Sequence, residues 1–276
     1  MNSLISIIIP CYNDADFIEQ ALKSALNQTY SNKEIIVVDD GSDEKTKAVL
    51  KSIESKIDRL IVQENQGQSN ARNSGINAAR GEVIIVLDSD DYFEPTFTER
   101  AFEVISNKVD VKIVTCWGRR ITENGDLIDI FKPIGGTVTN FICENSAIGN
   151  SMFRKSDWER VGGYDESMKQ GFEDWEFYIR LLSDGGVAYV IPEVLFNYRS
   201  RKNSTTARAN QIKYDLRTYI LSKHQNLYQQ HHLIHAQYLL KLLEREEAEK
   251  LKNLKRIEFR IGYSLLRPFR WLKRKF

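Results

Sequence analysis

Histidine is missing from the first 223 residues: all four, at 224, 231, 232 and 235, lie in the C-terminal part of the chain. A histidine base or a histidine-rich metal site is thereby excluded from most of the sequence. Cysteine is nearly as scarce. Cys11, Cys116 and Cys143 are odd in number, far apart and without a CxxC pair, which argues against a disulfide framework or a zinc site and favours a reducing compartment. No apolar run approaches the ~20 residues that a spanning helix needs, and the opening MNSLISIIIPCYN has no basic leader, so neither membrane spanning nor secretion is expected. Neither GxGxxG nor GxxxxGK[ST] occurs, which removes the commonest nucleotide-binding fingerprints.

What is present is ordinary for a globular chain: 276 residues, 42% hydrophobic and 28% charged, enough for one large domain with an appendage. The net charge of +1 conceals an asymmetry. Residues 250 to 276 carry ten Lys or Arg against the single acid Glu258, a local +9 that leaves −8 for the rest. An acidic body with a basic tail argues against a nucleic-acid binder and for a localised anionic contact.

From residue 4 the chain alternates short apolar runs with amphipathic ones. LISIII (4–9), EIIVVD (34–39), RLIVQ (59–63) and EVIIVLD (82–88) are β-branched and bounded by turn residues, as strands buried on both faces are. Between them lie stretches with apolar residues at helical spacing, and this rhythm predicts a mainly parallel, doubly wound sheet. Beyond residue 95 the pattern predicts a helix near 95–107, a strand near 111–117 and an amphipathic helix after the Gly162-Gly163 turn. From about residue 208 it reads as helix almost throughout.

In an open parallel sheet, ligands bind at the carboxyl ends of the strands. The residues just past the four apolar runs are Pro10-Cys11-Tyr12-Asn13, Asp39-Asp40-Gly41-Ser42, Asn65 to Gly67, and Asp88-Ser89-Asp90-Asp91. Any one cluster can be a helix cap; four together point to a site. Three acids within four positions repel one another unless water, a cation or a shifted pKa offsets the repulsion. The ring of Tyr12 offers a stacking surface for a uracil, and Asp40 or Asp39 can accept its N3–H. Arg72 can pair with phosphate or remain a solvated helix arginine. Glu173 and Asp174 begin a helix between the aromatics Phe172 and Trp175, where a carboxylate can serve as general base or merely favour the helix dipole.

The ordered segments SIIIPCYND, ALNQTYSNKEIIVVDDGSDEKT, NQGQSNARNSGINAARGEVIIVLDSDD and GGYDESMKQGFEDWEF, spanning roughly residues 4 to 200, resemble the family-2 glycosyltransferases of the GT-A fold, of the inverting type that builds bacterial surface polysaccharides. The resemblance implies an α/β fold: a Rossmann-like, mainly parallel sheet flanked by helices (1–207) with a helical C-terminal extension (208–276). It further implies transfer of a sugar from a nucleotide-sugar donor, a UDP-sugar in this reading, to a hydroxyl of a glycan or lipid-linked glycan. Asp88-Ser89-Asp90 is similar to the family's DxD, which implies Mn²⁺ or Mg²⁺ at Asp90 and Asp88, with Asp88 also facing the ribose or donor sugar. Pro10, Tyr12, Asn13, Asp39, Asp40, Arg72 and Ser89 fall on the donor side. Asp174 takes the place of the family's base, with Glu173 and Trp175 on the acceptor side, the latter either on a sugar face or in the core. Where many relatives carry a histidine in a YRxHxxS-like stretch, this chain has Arg201, which suits direct neutralisation of a diphosphate by a closing loop.

Two other classes share features with the chain. A haloacid-dehalogenase-like phosphatase also has an apolar strand followed by DxD, but with Gly-Thr next, on the first strand; here Asp91-Tyr92 follows, on the fourth. A non-catalytic glycan-binding scaffold would not need Asp174 near the acid cluster. The tail from 251 to 276 places Leu254, Ile257, Ile261 and Leu265 at helical spacing, with Phe269, Trp271, Leu272 and Phe276 past Pro268, among Lys and Arg. It reads as an interfacial anchor to an anionic membrane or as a helix packed on the domain, and the anchor implies a cytoplasmic protein held at the inner face of the cell membrane.

Overall fold

The computed structural model describes residues 3–202, 204–259, 261–262 and 265. Nine strands form one sheet: β1 (Ile5–Cys11), β2 (Lys33–Asp40), β3 (Arg59–Gln63), β4 (Val83–Val86), β5 (Tyr92–Phe93), β6 (Val111–Ile121), β7 (Leu127–Phe131), β8 (Met152–Arg154) and β9 (Val187–Arg199). Their order is β3-β2-β1-β4-β8-β6-β9-β5, with β7 paired to β6. Helices α1 (Ile18–Leu26), α2 (Glu44–Ile53), α3 (Gln68–Ala78) and α4 (Phe97–Asn107) belong to the first half. They are followed by α5 (Val138–Phe141), α6 (Lys155–Val161), α7 (Glu173–Leu182), α8 (Thr205–Gln211), α9 (Lys213–Lys223), α10 (Gln225–Gln230) and α11 (His232–Lys255).

The four apolar runs become β1 to β4, and β3-β2-β1-β4 is wholly parallel. β1 is buried along its whole length, which is why it shows no polar alternation. The connecting helices bury one stripe each: Ile18, Ala21, Leu22 and Ala25 in α1 follow the i, i+3, i+4, i+7 spacing. The N-cap Asp43 fixes the start of α2 by accepting from the backbone N–H of Thr46 at 2.8 Å. α3 lies so close on β1 and β2 that a Cβ at Gly75 would collide with Ile8, so the glycine sets the depth of that helix. Beyond β4 the sheet is mixed. The three-residue β8 enters between β4 and β6, antiparallel to both, while β6 and β9 pair in parallel.

Two compact units comprise residues 1–225 and 226–276. The expected boundary at 207 falls inside α8, and the first unit continues through α9 because Ala209, Leu216 and Ile220 are buried and polar ties join α9 to α7. Glu176 of α7 is fully buried and accepts from Arg180 (Nη2, 2.6 Å), Lys223 (2.9 Å) and His224 (Nε2, 2.9 Å). In the second unit, α11 has no buried residue and exposes Leu240, Leu243, Leu251 and Leu254. Among the described residues no helix is long and apolar enough to cross a membrane. Phe269, Trp271, Leu272 and Phe276 of the basic tail lie outside the described residues.

Burial alone would raise the pKa of Glu176, but the bonds from His224, Arg180 and Lys223 outweigh it and hold the carboxyl down to about 2, from an ordinary 4.5. A depressed carboxyl stabilises the fold fully above its unfolded pKa and loses that contribution as pH falls toward the folded one. Urea-unfolding midpoints are therefore expected to drop between about pH 5 and pH 2. Glu176→Gln should cost roughly 3 kcal/mol at pH 7 and flatten that acid dependence; an unchanged midpoint–pH curve in the variant would exclude this role.

Candidate active site

The carboxyl ends of β1, β2 and β4, the loop after β3 and the start of α7 border one cavity of about 710 Å³. Pro10, Tyr12 and Asn13 line it, and the Tyr12 ring is half exposed at the rim. Asn13 adopts a left-handed conformation (φ 57°), a region that asparagine tolerates better than most side chains. Its backbone N–H donates to Ser42 Oγ at 3.1 Å and its Oδ1 accepts from Asp43 N at 2.7 Å, which lace the end of β1 to that of β2.

The structure separates the two candidate base acceptors. Asp39 is 1% exposed, lies off the cavity wall and accepts from Ser42 N at 3.0 Å, so it closes the turn after β2. Asp40 lines the cavity. Its Oδ1 accepts from Gln63 Nε2 (2.8 Å) and Gln66 N (2.9 Å), and its Oδ2 from Gly67 N (2.8 Å). A carboxylate offers about four lone-pair positions, which leaves one on Oδ2 for a ligand.

The acid cluster past β4 is divided among separate partners. Asp88 accepts from Arg72 Nη2 (2.8 Å), Gln68 Nε2 (3.2 Å) and Asn150 Nδ2 (3.3 Å). Asp91, buried, accepts from Arg199 N (2.8 Å) and Asn150 Nδ2 (3.3 Å). Asp90 pairs with Arg201 Nη1 (3.0 Å), and the same nitrogen reaches Asp14 Oδ1 (2.5 Å). Ser89 donates to Asp14 Oδ2 at 2.5 Å, which points it away from a direct donor role. Burial, with Asp14 and Asp88 nearby, pushes Asp90 up to about 6 against the opposing pull of Arg201. Burial beside Asp90 and Asp88 raises Asp91 well above the usual carboxylate range.

This surplus of negative charge fits a divalent cation, but not a cage of protein ligands. Among the described residues no group of three or more His, Cys, Asp or Glu is arranged to hold a metal. Asp88 is already engaged by three donors, whereas Asp90 takes one, so Asp90 together with oxygens of a bound phosphate is the donor set available. Magnesium-type ions are commonly held in that way.

Arg72 does not stand ready for phosphate. It is completely buried, with Nη1 on Glu173 Oε1 (2.5 Å), Nη2 on Asp88, and its guanidinium over the Tyr164 ring at 5.3 Å. A cation so desolvated is kept by its two carboxylates. Glu173 is buried in that pairing. Asp174 lines the cavity and its Oδ2 accepts from Asn145 Nδ2 at 2.8 Å; burial raises its pKa, opposed chiefly by Arg72 and Asn145. Trp175 is a core residue, 3% exposed with Nε1 donating to Phe141 O at 2.6 Å, so it is not a sugar platform. The aromatic of this motif that lines the cavity is Phe172. Arg201 lines it too, over the Phe17 ring at 4.8 Å.

Asp14, Gln68, Asn145, Asn150 and Arg199 escape a sequence reading. Asp14 stands two residues beyond Tyr12 in the same strand end and was within reach of the strand-end rule. The others come from loops, the end of β9 and the first position of α3, and no local pattern encodes their spatial order.

Residues 6–160, more than half of the chain, match the sequence profile "Glycosyl transferase family 2", and residues 139–214 match "N-terminal domain of galactosyltransferase". The chain belongs to glycosyltransferase family 2. It is 30% identical over 205 residues to an uncharacterised glycosyltransferase of Methanocaldococcus jannaschii, covering 71% of this chain and 70% of the relative. It is 30% identical over 194 residues to the chondroitin synthase of Escherichia coli, covering 68% of this chain and 28% of that protein. Among solved structures, TarS of S. aureus in complex with UDP-GlcNAc superposes with a TM-score of 0.62 at 20% identity, over 74% of this chain and 60% of that one. The fold is GT-A, built on a mixed, curled sheet.

Proposed function

We propose that the chain transfers a sugar from a UDP-sugar to a hydroxyl of a glycan or lipid-linked glycan, by single displacement with inversion. The observation that carries this reading is that one cavity holds Tyr12, Asp40 and Asp90 together with Asp174. The nucleotide sugar named for TarS supports a uridine donor. The name of the E. coli chondroitin synthase supports a glycan product.

In this reading Tyr12 stacks on the base while the remaining lone pair of Asp40 accepts its N3–H. Arg201 sits where a diphosphate would lie and neutralises part of its charge. A Mn²⁺ or Mg²⁺ ion bound at Asp90 would supply positive charge to the departing nucleoside diphosphate. Asp174 accepts the proton of the acceptor hydroxyl as its oxygen bonds to the anomeric carbon and the bond from that carbon to the diphosphate oxygen breaks. The raised pKa of Asp174 favours this task, because a base nearer the working pH drives proton transfer better. Phe172 offers an aromatic face to the acceptor sugar. A phosphatase reading is disfavoured because Asp88, its required nucleophile, is occupied by Arg72, Gln68 and Asn150.

Attachment to the inner face of the cell membrane through the basic tail belongs to the same proposal. It is supported by ten cationic residues after 249 and by the exposed leucines of α11.

Three measurements test the reading. Asp174→Asn should retain nucleotide binding while lowering transfer by roughly 10²- to 10⁴-fold; near-full activity removes Asp174 from the role. Asp90→Ala should abolish the gain in UDP affinity that Mn²⁺ gives, read by titration calorimetry with and without the ion. Equal gains in both proteins would refute the metal assignment. Truncation after Glu249 should abolish salt-sensitive cosedimentation with anionic liposomes yet spare transfer to a water-soluble acceptor; undiminished cosedimentation sinks the anchor.

A further inference from the structure

The candidate base is held by a residue outside every motif considered so far. Asn145 lies in the connector between α5 and β8, exposed, with its Nδ2 2.8 Å from Asp174 Oδ2. Its own Oδ1 faces the Ala147 backbone N–H at 3.5 Å, so the amide cannot flip without turning an oxygen toward the carboxylate and abandoning that contact. Gly149 of the same connector completes the grip. A Cβ there would stand 3.1 Å from Asp174 Oδ2, so only a glycine lets the backbone lie against that oxygen without crowding it. The Trp175 backbone N–H is a further donor to the carboxylate.

We propose that Asn145 is a positioning residue for the transfer reaction: it clamps Asp174 Oδ2 against the 145–149 connector and so leaves Oδ1 to receive the acceptor proton. This rests on the reading of Asp174 as the base. The clamp also acts on ionisation. Asp174 is faced by Glu173 and Tyr178 from its own helix, by Arg72 from α3, by Asp88 beyond β4 and by Tyr164 of the preceding loop. Of these only Arg72 is cationic, and it already serves Asp88 and Glu173. A neutral donor that stabilises the ionised form without adding charge keeps the base deprotonated in a desolvated site.

Asn145 is exposed, so Asn145→Ala and Asn145→Asp are expected to fold. Two readouts separate the clamp from the base. Selective ¹³C-carboxyl aspartate labelling, with Asp174 assigned by its loss in Asp174→Asn, gives the Asp174 pKa without any assay of transfer. It should rise by about one unit in Asn145→Ala and further in Asn145→Asp. In the pH profile of transfer, the acid limb should move up by the same amounts. On the acid side of that limb kcat should fall about tenfold for each pH unit that the limb moves in Asn145→Ala and recover at higher pH, with UDP affinity unchanged. An unmoved Asp174 pKa overturns the proposal, as does a rise in acceptor KM with the acid limb in place, which would make Asn145 an acceptor contact. Full activity of Asp174→Asn together with a moved Asp174 pKa would instead retain the clamp and reject the base.

Discussion

Arg72 is the interaction on which the site depends. Its guanidinium is completely buried, and a cation removed from water to that degree survives only where opposite charges and hydrogen bonds surround it. The two carboxylates that do so come from different elements, Asp88 from the loop after β4 and Glu173 from the start of α7. α3, which carries Arg72, is itself pressed onto β1 and β2 at Gly75. One ion triad thus ties the strand end that carries the acid cluster to the helix start that carries Asp174. If Arg72 instead swung out to meet phosphate, it would leave the buried Glu173 without its cation and Asp88 with only the amides of Gln68 and Asn150, so an arginine that looks like a phosphate ligand in sequence also acts as a strut in the structure.

The remaining charge follows from that commitment. Asp14, Asp40, Asp90 and Asp174 line the same cavity, while Arg72 is consumed by Asp88 and Glu173, and Arg199 turns its guanidinium to the carbonyls of Asp90 and Glu123 and to Gln20. Arg201 serves Asp14 and Asp90 together, and Arg120, Lys169 and Arg208 are further cations on the same wall. In the proposed reading, a nucleoside diphosphate entering a cavity with more acids than cations on its wall is better accommodated when a cation comes with it. Burial first, and then the charges of Asp14 and Asp88, raise the pKa of Asp90 against the pull of Arg201. On the proposed function, the acid-rich strand end is half of a site whose other half arrives with the ligand.

Much of this was legible in the sequence, and the limits have physical causes. The parallel half was readable because strands buried on both faces must be apolar without interruption, and β1 to β4 are. Asp39 and Asp40 could not be told apart because neighbours on a strand point to opposite faces, and only the packing of the sheet decides which face meets the cavity. Trp175 was ambiguous for a related reason: helical spacing gives a face, not what covers it, and here Phe141 does. β8 was missed because three residues carry no periodicity, yet its antiparallel entry between β4 and β6 is what brings Asn145, Gly149 and Asn150 to the cavity. Loop residues that act through side-chain amides leave no pattern to find.

The turn into α7 shows how backbone and chemistry are joined. Gly171 (φ 113°) and Phe172 (φ 64°) both have positive φ, which glycine adopts freely and phenylalanine does not. The helix begins at once, with Glu176 N donating to Phe172 O at 3.1 Å, so Glu173 and Asp174 occupy its first turn, where free N–H groups favour negative charge. Space explains the glycine, since a Cβ at 171 would meet Ala209 at 2.7 Å. Space does not explain the phenylalanine, whose left-handed backbone costs on the order of 1 kcal/mol that a glycine would avoid. Phe172 packs edge-on against Trp175, its ring centroid 5.5 Å from the indole's, and stays on the cavity wall beside Asp174. Strain retained at that position keeps an aromatic ring on the cavity wall beside Asp174, which a glycine in the same turn would not supply.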